Sequence, residues 1–417
     1  MKRRVVITGL GALTALGEGA EALWRGALDG RSGIGEVRWG APGAEAWIFR
    51  GAEIRGFEPE KYVTQRKALK VMARDIQLGV AAASLAADDA SARQLAGRRD
   101  RYGVIVGSGV LNHELDELAF SVLRSLGPDG RLDLSKFGQE GLSALFPLWL
   151  LKYLPNMPAC HISILFDLQG PNNTLTTGAS SGLEAVCEAF RIIRRGSADL
   201  VFAGAAESKL NPLGLAQYGV LGALGNGNSP AGRPFDPESH GIIPGEGAGF
   251  LVLEELEHAL ARGARIWAEI AGYGVSSPRG RETALRAALA DAGAKASEVD
   301  YLQAAGLGIA DEDAAEAAAI DSVFSDQSRG LAVSASKFVT GFTGFSSGPL
   351  DLILSALAVA RQEVPPVPGA PMTNGYHRFH LVTGRPVRKR IRYAVTSASG
   401  FGAPSACVVT KPFNGGK

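Results

Sequence analysis

The sequence has few of the residues that bind metals, form disulfides or transfer protons near neutral pH. Its 417 residues include three cysteines and six histidines. The cysteines, Cys160, Cys187 and Cys407, lie far apart and match no metal-binding spacing. We therefore expect reduced thiols, as in a cytoplasmic protein, and neither a bound metal nor a cofactor.

The sequence also lacks an excess of either charge and a hydrophobic run long enough for a membrane. Lysine and arginine total 43 against 42 aspartates and glutamates, so no overall field favours nucleic acid or an anionic membrane. The longest apolar stretch, residues 142–151, contains Pro147 and is too short to span a bilayer, so we predict a core or interface segment. The N-terminal residues lack the apolar region of a signal peptide. We expect a cytoplasmic location without nucleic-acid or membrane partners.

What the sequence does contain is the alternation of an α/β protein. Hydrophobic residues make up 46% and charged residues 20%, which is typical of a globular chain, and the 54 glycines indicate many tight turns. Short apolar runs alternate with stretches of helical periodicity, which predicts a layered α/β fold with helices on sheet faces. The predicted strands are 5–7, 102–106, 200–204, 249–254, 266–274, 301–304, 331–333, 393–396 and 406–410, and the predicted helices are 66–87, 115–126, 283–292, 313–324 and 350–360.

Residues 176–182 have the composition of a tight turn that leads into a helix. Apolar residues recur behind this turn at spacings of three and four, so one stripe of the helix is predicted to be buried. These residues are Leu183, Val186, Cys187, Phe190 and Ile193. Ser181 followed by Glu184 predicts a capping box. A helix N-terminus presents free backbone N–H groups and a positive dipole end, and an enzyme would place a nucleophile at such a turn.

Five motifs occur in order along the chain. They are residues 4–11, residues 178–182, residues 233–236 with 245–249, Lys337 with Thr340 and Gly341, and the triplet Gly400-Phe401-Gly402. Together they resemble the motifs of the β-ketoacyl-acyl-carrier-protein synthases, from one end of the chain to the other. The resemblance implies the thiolase-like fold, a five-layered αβαβα arrangement of two related halves. The halves would be residues 1–257 and 258–417, packed as one compact unit.

The same resemblance implies a dimer. A strand near residues 160–175 would continue the sheet into the partner subunit, and the apolar residues 145–154 would be buried with it.

Three positions of the resemblance carry residues that cannot perform the family's chemistry. The resemblance implies a cysteine nucleophile at the turn and two histidines that stabilise the carbanion formed by malonyl decarboxylation. This sequence has Ala179 at the cysteine position, and Ala305 and Phe342 at the histidine positions. Alanine has no heteroatom that could attack a thioester, and neither alanine nor phenylalanine donates a hydrogen bond to an enolate oxygen. We therefore predict a degenerate site without independent condensation activity.

Other residues of the implied site are retained. Lys337 and Glu316 match the family's lysine and its partner acid, and we predict a buried ion pair with a structural role. The triplet Gly400-Phe401-Gly402 matches the rim of the acyl pocket, with Phe401 as its aromatic gate. The resemblance implies that the backbone N–H groups of Phe401 and Ala179 form the oxyanion hole.

Ser180 offers an alternative nucleophile. Residues 178–182 read Gly-Ala-Ser-Ser-Gly, which matches the nucleophile-elbow pattern of serine hydrolases. A serine acyltransferase or hydrolase also needs a histidine base and an acid within reach. None of the six histidines occupies a position implied to be catalytic, and only His240, in a glycine-rich loop, is a candidate base.

The main hypothesis is a non-catalytic subunit. The resemblance implies that such a subunit, a chain-length factor, pairs with an intact ketosynthase in polyketide or fatty-acid synthesis and shapes its acyl tunnel. Chain-length factors often carry glutamine at the turn, and Ala179 departs from this pattern. The alternative is a homodimer without catalytic activity that binds acyl groups or a carrier protein.

Acyl carrier proteins are acidic, so a basic patch beside the pocket would receive one. Arg66, Lys67 and Lys70 are the first candidates for this patch. A second cluster consists of Arg385, Arg388, Lys389, Arg390 and Arg392. Local runs of charge are also typical of a solvated surface.

Overall fold

Strands and helices alternate through both halves of the chain, as the sequence predicts. The computed structural model describes residues 3–40, 47–93, 97–111, 113–225, 231–369 and 377–414. The strands in these ranges are β1 (Val5–Thr14), β2 (Gly17–Glu18), β3 (Gly35–Trp39), β4 (Trp47–Gly51), β5 (Tyr102–Gly107), β6 (Asn172–Leu175), β7 (Leu200–Glu207), β8 (Gly247–Glu255), β9 (Ala268–Ser276), β10 (Val299–Gln303), β11 (Ala332–Ser334), β12 (Glu363–Val364), β13 (His380–Leu381), β14 (Val387–Arg388), β15 (Tyr393–Gly400) and β16 (Ala403–Lys411). The α-helices in these ranges are α1 (Ala20–Leu28), α2 (Arg74–Asp89), α3 (Leu115–Arg124), α4 (Leu134–Lys136), α5 (Trp149–Tyr153), α6 (Met157–Phe166), α7 (Ser181–Arg194), α8 (Pro212–Val220), α9 (Leu256–Ala261), α10 (Arg281–Ala292), α11 (Ala310–Phe324), α12 (Lys337–Thr340) and α13 (Ser347–Arg361).

One mixed sheet contains strands from both halves of the chain, and β1 joins its two parts. The strand order is β13-β11-β10-β15-β16-β9-β1-β8-β7-β5-β6, with β2 beside β1. β1 pairs antiparallel with β8, and its residues 5–7 also pair antiparallel with residues 268–270 of β9. The first part therefore holds β1, β2 and β5 to β8, and the second part holds β9 to β11, β13, β15 and β16, while β3 with β4 and β12 with β14 form two separate two-stranded sheets. The predicted division after residue 257 falls between these strands and stays a prediction.

Helices lie outside each part of the sheet and between the two parts. α7 and α13 contact each other and strands of both parts, so they form the central layer. α2 and α6 pack on the first part, and α10 and α11 on the second, each pair enclosing a hydrophobic core of its own. In α13, residues 347–359 are all buried, as expected for a helix that is apolar around most of its circumference. The result is the five-layered arrangement that the resemblance implies.

The predicted helix 66–87 is divided in two. Arg66–Val71 forms a 3₁₀ helix, and α2 begins only at Arg74. Between them, Met72 and Ala73 have an extended backbone and buried side chains that belong to the core beneath α2. The apolar spacing continues across this break, so periodicity alone predicts one helix where the chain makes two.

The segment 110–164 exposes a large amount of apolar surface. It contains α3 to α6 and carries twelve of the nineteen large hydrophobic side chains that are exposed in the described residues. Phe120, Leu134 and Ile164 are 70%, 76% and 73% exposed. Residues 142–151 are mostly solvent-exposed, so the core alternative of their prediction is wrong for this chain alone. Contiguous apolar surface of this kind is typical of an interaction site.

β6 is the last strand on its side of the sheet. It pairs in parallel with β5, and its residues Asn172 and Asn173 are exposed. A strand was expected near residues 160–175, but α6 occupies Met157–Phe166, so only the last four residues of that range are extended. An edge strand presents backbone N–H and C=O groups that can pair with another chain.

Candidate functional site

The turn before α7 places Ala179 at the N-terminus of a buried helix. β6 ends at Leu175, Gly178 adopts a φ of 93°, and Ser180 is the N-cap of α7. The positive φ at Gly178 is a conformation that residues with a side chain rarely adopt, which explains the glycine at this position. The strand, turn and helix that the sequence predicts around Ala179 are therefore present.

Aromatic side chains surround Ala179. It is half-buried and belongs to a small hydrophobic cluster with Leu307, Tyr218, Phe342 and Phe401. The Phe342 ring lies 5.3 Å from the Phe401 ring and 5.8 Å from the Tyr218 ring, and both contacts are edge-to-face. Phe342 is only 2% exposed. At the positions expected to hold a nucleophile and a proton donor, the site presents a methyl group and a phenyl ring.

Phe401 lies in a tight turn between β15 and β16. Its own φ is 54°, and Gly400 and Gly402 have φ values of 129° and 74°. A Cβ atom on Gly400 would lie 2.6 Å from a methyl carbon of Leu307, so a larger residue would not fit there. The turn places the Phe401 ring in the cluster with Ala179. The predicted gate and oxyanion-hole roles stay predictions.

Two acids of α11 hold the loop that carries Ala305. Glu316 accepts hydrogen bonds from the backbone N–H groups of Ala305 and Gly306, both at 2.9 Å, and from the Ser397 hydroxyl at 2.6 Å. Asp313 accepts from three further backbone N–H groups, those of Phe235, Leu307 and Gly308. Burial raises the pKa of Asp313 to about 7. These contacts fix the backbone of the loop and leave the Ala305 methyl group in the position expected for a histidine.

The predicted ion pair between Lys337 and Glu316 is wrong. The Lys337 ammonium pairs with Asp351 of α13, and the two side chains are 3% and 1% exposed. Asp351 also accepts hydrogen bonds from Ser336 and Gln303, and burial raises its pKa. Glu316 instead accepts hydrogen bonds from the Ala305 loop and from Ser397, and it makes no ion pair with Lys337 in the described part of the chain. The signal for Asp351 was its place in the apolar run Leu350-Asp351-Leu352, where a buried acid needs a partner.

Ser180 lacks the surroundings of a serine nucleophile. Its side chain is fully buried, and its hydroxyl donates to Glu184 Oε1 at 2.6 Å. The Thr177 hydroxyl donates to the same oxygen at 2.8 Å. Among the described residues, which include all six histidines, no imidazole hydrogen-bonds to Ser180, and His240 is exposed. The serine-enzyme alternative therefore receives no support from the geometry.

The predicted capping box is also wrong. Ser180, and not Ser181, is the N-cap, and its side chain makes no capping bond. The Ser181 hydroxyl is buried without a hydrogen-bond partner in the described part of the chain. Glu184 binds the two hydroxyls of the turn, so it holds the turn against the first turn of α7 in a different way from a capping box.

The candidate carrier-docking residues are exposed. Arg66, Lys67 and Lys70 lie on the 3₁₀ helix Arg66–Val71, and no ion pair involves them within the described ranges. Their docking role stays a prediction. In the described residues, no group of three or more His, Cys, Asp or Glu side chains is placed to hold a metal ion. None of the helices described combines the length and the apolar character that crossing a membrane requires.

Known proteins resemble the chain along its full length. Residues 2–259 match the family model described as "Beta-ketoacyl synthase, N-terminal domain", and residues 264–370 match "Beta-ketoacyl synthase, C-terminal domain". The chain is 32% identical over 425 residues to a 3-oxoacyl-[acyl-carrier-protein] synthase 2 of Staphylococcus aureus (strain COL), with 99% of each chain covered. It is 33% identical over 427 residues to the protein of that name from Vibrio cholerae, covering 98% of this chain and 99% of the relative.

Solved structures give the same result. The structure described as "The ishigamide ketosynthase/chain length factor" superposes with a TM-score of 0.84 at 29% identity, covering 99% of this chain and 100% of the other. A second is described as a "type II PKS acyl-carrier protein in complex with its ketosynthase bound to the hexaketide". It superposes with a TM-score of 0.79 at 25% identity, covering 99% of this chain and 100% of the other. Together with the fold and the match over more than half of its length, these similarities show that the chain belongs to the β-ketoacyl synthase family.

Proposed function

We propose that this chain is a catalytically silent ketosynthase-like subunit that pairs with a complete ketosynthase and helps to set the length of the acyl chain made there. The observation that carries the proposal is the joint presence of Ala179, Ala305 and Phe342 at the three implied catalytic positions. Acyl transfer needs a nucleophile, and decarboxylation needs donors for the developing enolate. These three residues supply neither.

Nearby groups do not compensate for the loss. Cys187 and Cys407 are buried, and burial raises the pKa of both thiols, so neither is available as a thiolate. The Ser180 hydroxyl is buried and bound to Glu184. Lys337 is held by Asp351 in the interior, which supports a structural role for it.

Aromatic packing is a second observation in favour of a catalytically silent subunit. The rings fill the space beside Ala179. Phe342 packs between Phe401 and Tyr218, and the Tyr218 hydroxyl donates to the buried carboxylate of Glu207. Lys209 lies 3.5 Å from the same carboxylate, and its ammonium lies over the Tyr218 ring. This polar cluster holds Tyr218 in place, so opening the site would require the aromatic rings to move together.

The proposed pairing with a ketosynthase is supported by two features of the protein surface. β6 offers an open strand edge, and the segment 110–164 beside it exposes most of the large apolar side chains on the described surface. A permanent interface of this kind buries on the order of 2,000 Å² or more. One solved neighbour is a ketosynthase/chain length factor, and another is a ketosynthase in complex with its acyl-carrier protein. We infer a heterodimer in which residues of this segment line part of the partner's acyl tunnel, and a carrier protein that docks beside Arg66, Lys67 and Lys70.

Co-expression with a complete ketosynthase from the same genome tests the proposal. The chain alone should give no acyl adduct in intact-mass measurement after incubation with acyl-carrier thioesters, and should release no carbon dioxide from malonyl thioesters. With its partner it should elute as a one-to-one complex that makes products of defined length. An adduct on this chain would contradict silence. A homodimer that ignores every complete ketosynthase offered would leave only the homodimeric, acyl-binding or carrier-binding alternative.

A further inference from the structure

The second basic cluster of the sequence, residues 385–392, contributes to a cavity of about 680 Å³. The cavity lies where the end of α13, the approach to β9 and the end of β16 meet residues 390–393. Arg390, Arg392 and Lys411 line it, and no Asp or Glu does. None of its lining residues belongs to the cluster around Ala179. Any ligand here is therefore independent of the proposed function.

Two of the three cations that line this cavity have carboxylate partners, and both partners lie outside the lining. Arg392 pairs with Asp300 at 2.9 Å, outside the lining. Lys411 lies 3.4 Å from Glu269, but Arg4 already binds both oxygens of that carboxylate, at 3.0 and 2.6 Å. Two cations thus share one acid. Arg390 is exposed and has no ion pair in the described part of the chain. The lining itself therefore holds three cations and no carboxylate, and the carboxylates of Asp300, Glu269 and Asp89 lie just outside it.

The backbone that carries two of these arginines is fixed in place. Gln362 donates through Nε2 to the carbonyl oxygens of Val359 and Ile391, at 2.7 and 3.2 Å. Its Oε1 accepts the N–H of Ile391 at 2.8 Å. Ile391 lies between Arg390 and Arg392, so one glutamine side chain fixes the backbone from which both arginine side chains extend. A fixed backbone reduces the conformational entropy that is lost when these side chains bind a ligand.

Apolar and aromatic groups complete the walls. Trp267 and Phe413 line the cavity together with Ile266 and Val359. The Arg265 guanidinium lies 3.5 Å from the centre of the Trp267 ring, which adds a further positive charge beside the opening. A cavity of several hundred Å³ with apolar walls and a few convergent polar groups is typical of a small-molecule site.

We propose that this cavity binds a small molecule that carries one or more phosphate groups, with its organic part against Trp267 and Phe413. Arginine and lysine are the side chains that bind phosphate oxygens through several charge-assisted hydrogen bonds. A phosphate group would give Arg390 an anionic partner, and a second phosphate would add negative charge beside Lys411, which shares Glu269 with Arg4.

Isothermal titration at low ionic strength tests this inference with three probes, which are ADP, inorganic pyrophosphate and adenosine. ADP and pyrophosphate should bind, and adenosine should not. Arg390→Ala should weaken ADP binding by about tenfold or more, since it removes a charge-assisted contact. The matched control is Arg388→Ala, two residues away, because that side chain is 92% exposed and does not line the cavity. The control should change affinity by less than about twofold. Lys411→Gln is a second lining variant and should also weaken binding.

Three results would overturn the inference. The first is no binding of ADP or pyrophosphate at millimolar concentration. The second is an equal loss in Arg390→Ala and Arg388→Ala, which would indicate general surface charge. The third is binding of an acidic carrier protein to this face without competition from ADP, which would make it a protein-docking surface. Thermal melts of Arg390→Ala and Arg388→Ala should match the unchanged protein, because both side chains are exposed.

Discussion

Ala179 and Ser180 are sequence neighbours in opposite surroundings. The methyl group of Ala179 is half-buried beside the Phe342 and Phe401 rings, whereas the Ser180 hydroxyl is fully buried and bound to Glu184. A nucleophilic side chain at position 179 would therefore be more accessible to a substrate than a nucleophilic side chain at position 180.

Ala179→Cys should gain at most self-acylation. We expect no more than one acyl group per chain from acyl-carrier thioesters, seen by intact mass, and no carbon dioxide release, because Ala305 and Phe342 cannot stabilise the carbanion. Ser180→Cys is the matched control and should stay unmodified. Carbon dioxide release by the Ala179→Cys variant would show that the decarboxylation site lies elsewhere.

Replacing Lys337 should cost more stability than removing its whole ion pair. Lys337→Ala leaves the Asp351 carboxylate buried without its cation, and we expect the free energy of unfolding to fall by about 3–5 kcal/mol. The double variant Lys337→Met, Asp351→Leu should lose less. Urea unfolding of the Lys337→Ala variant and of the double variant provides the measurement. An equal loss of unfolding free energy in the Lys337→Ala and double variants would mean that leaving Asp351 without its cation carries no extra cost.

Asp199 should make the protein sensitive to acid. Arg101 and then Arg3 hold the pKa of this carboxyl well below its usual value, at distances of 2.8 and 2.5 Å. Its contribution to stability is present in full above the ordinary carboxyl pKa of about 3.9 and decreases as the pH falls below it. Asp199→Asn should therefore be less stable than the unchanged protein at pH 7, and the difference should shrink between pH 5 and pH 3, as measured by urea midpoints. A difference that does not change with pH would rule out the ionised carboxylate as its source.

At the scale of helices and strands, the sequence predicts the elements that have a periodic apolar pattern. It does not predict features that depend on contacts with residues distant in the sequence. Apolar periodicity places α7, α10, α11 and α13 within a few residues of their ends, because each buries its own stripe. The break at Met72 and Ala73 is missed because the core beneath α2 imposes it. The partner of Lys337 is missed for the same reason, since Asp351 reaches it through the packing of α13. The resemblance supplied the three degenerate positions, which no periodicity contains.

The open edge of β6 allows a test of whether the two subunits pair along this strand. Pro171 and Leu175 turn their carbonyl groups toward β5, where they accept N–H groups at 2.9 and 2.8 Å. Residues alternate in a strand, so Thr174 points its backbone groups to the open side, where its N–H donates to Asn173 Oδ1 at 2.9 Å in this chain alone. Thr174→Pro removes that N–H without breaking a bond to β5, and it should abolish the complex with the ketosynthase partner in size-exclusion chromatography with light scattering.

Thr174→Val keeps the N–H group and is the matched control, which should preserve the complex. If Thr174→Pro assembles as well as Thr174→Val, the two subunits do not pair along β6.

On the scale of the whole molecule, the segment 110–164 should influence the product made by the partner. Phe146 is 50% exposed on this chain. If its ring closes part of the partner's tunnel, Phe146→Ala should lengthen the products by at least one two-carbon extension and leave the partner's first acylation unchanged. Mass analysis of products from the co-expressed pair measures this. Leu260→Ala is the control, because Leu260 is 49% exposed but lies on α9, outside the segment. A longer product from the control as well would point to a general loosening of the complex.

The position of β1 in the sheet has a consequence for synthesis. Its short neighbour β2 follows at once, but the two long strands that flank it are β8 and β9, and the nearest pairing with either joins Thr14 to Gly247, more than two hundred residues later. At the usual rate of about 5–20 residues per second, translation of that interval takes on the order of ten to fifty seconds. During this time β1, whose ten residues are all buried in the folded protein, has only the two residues of β2 to pair with. The apolar side chains of β1 must be protected from aggregation until then. The two parts of the sheet can pair through β1 only after the ribosome has passed the middle of the message.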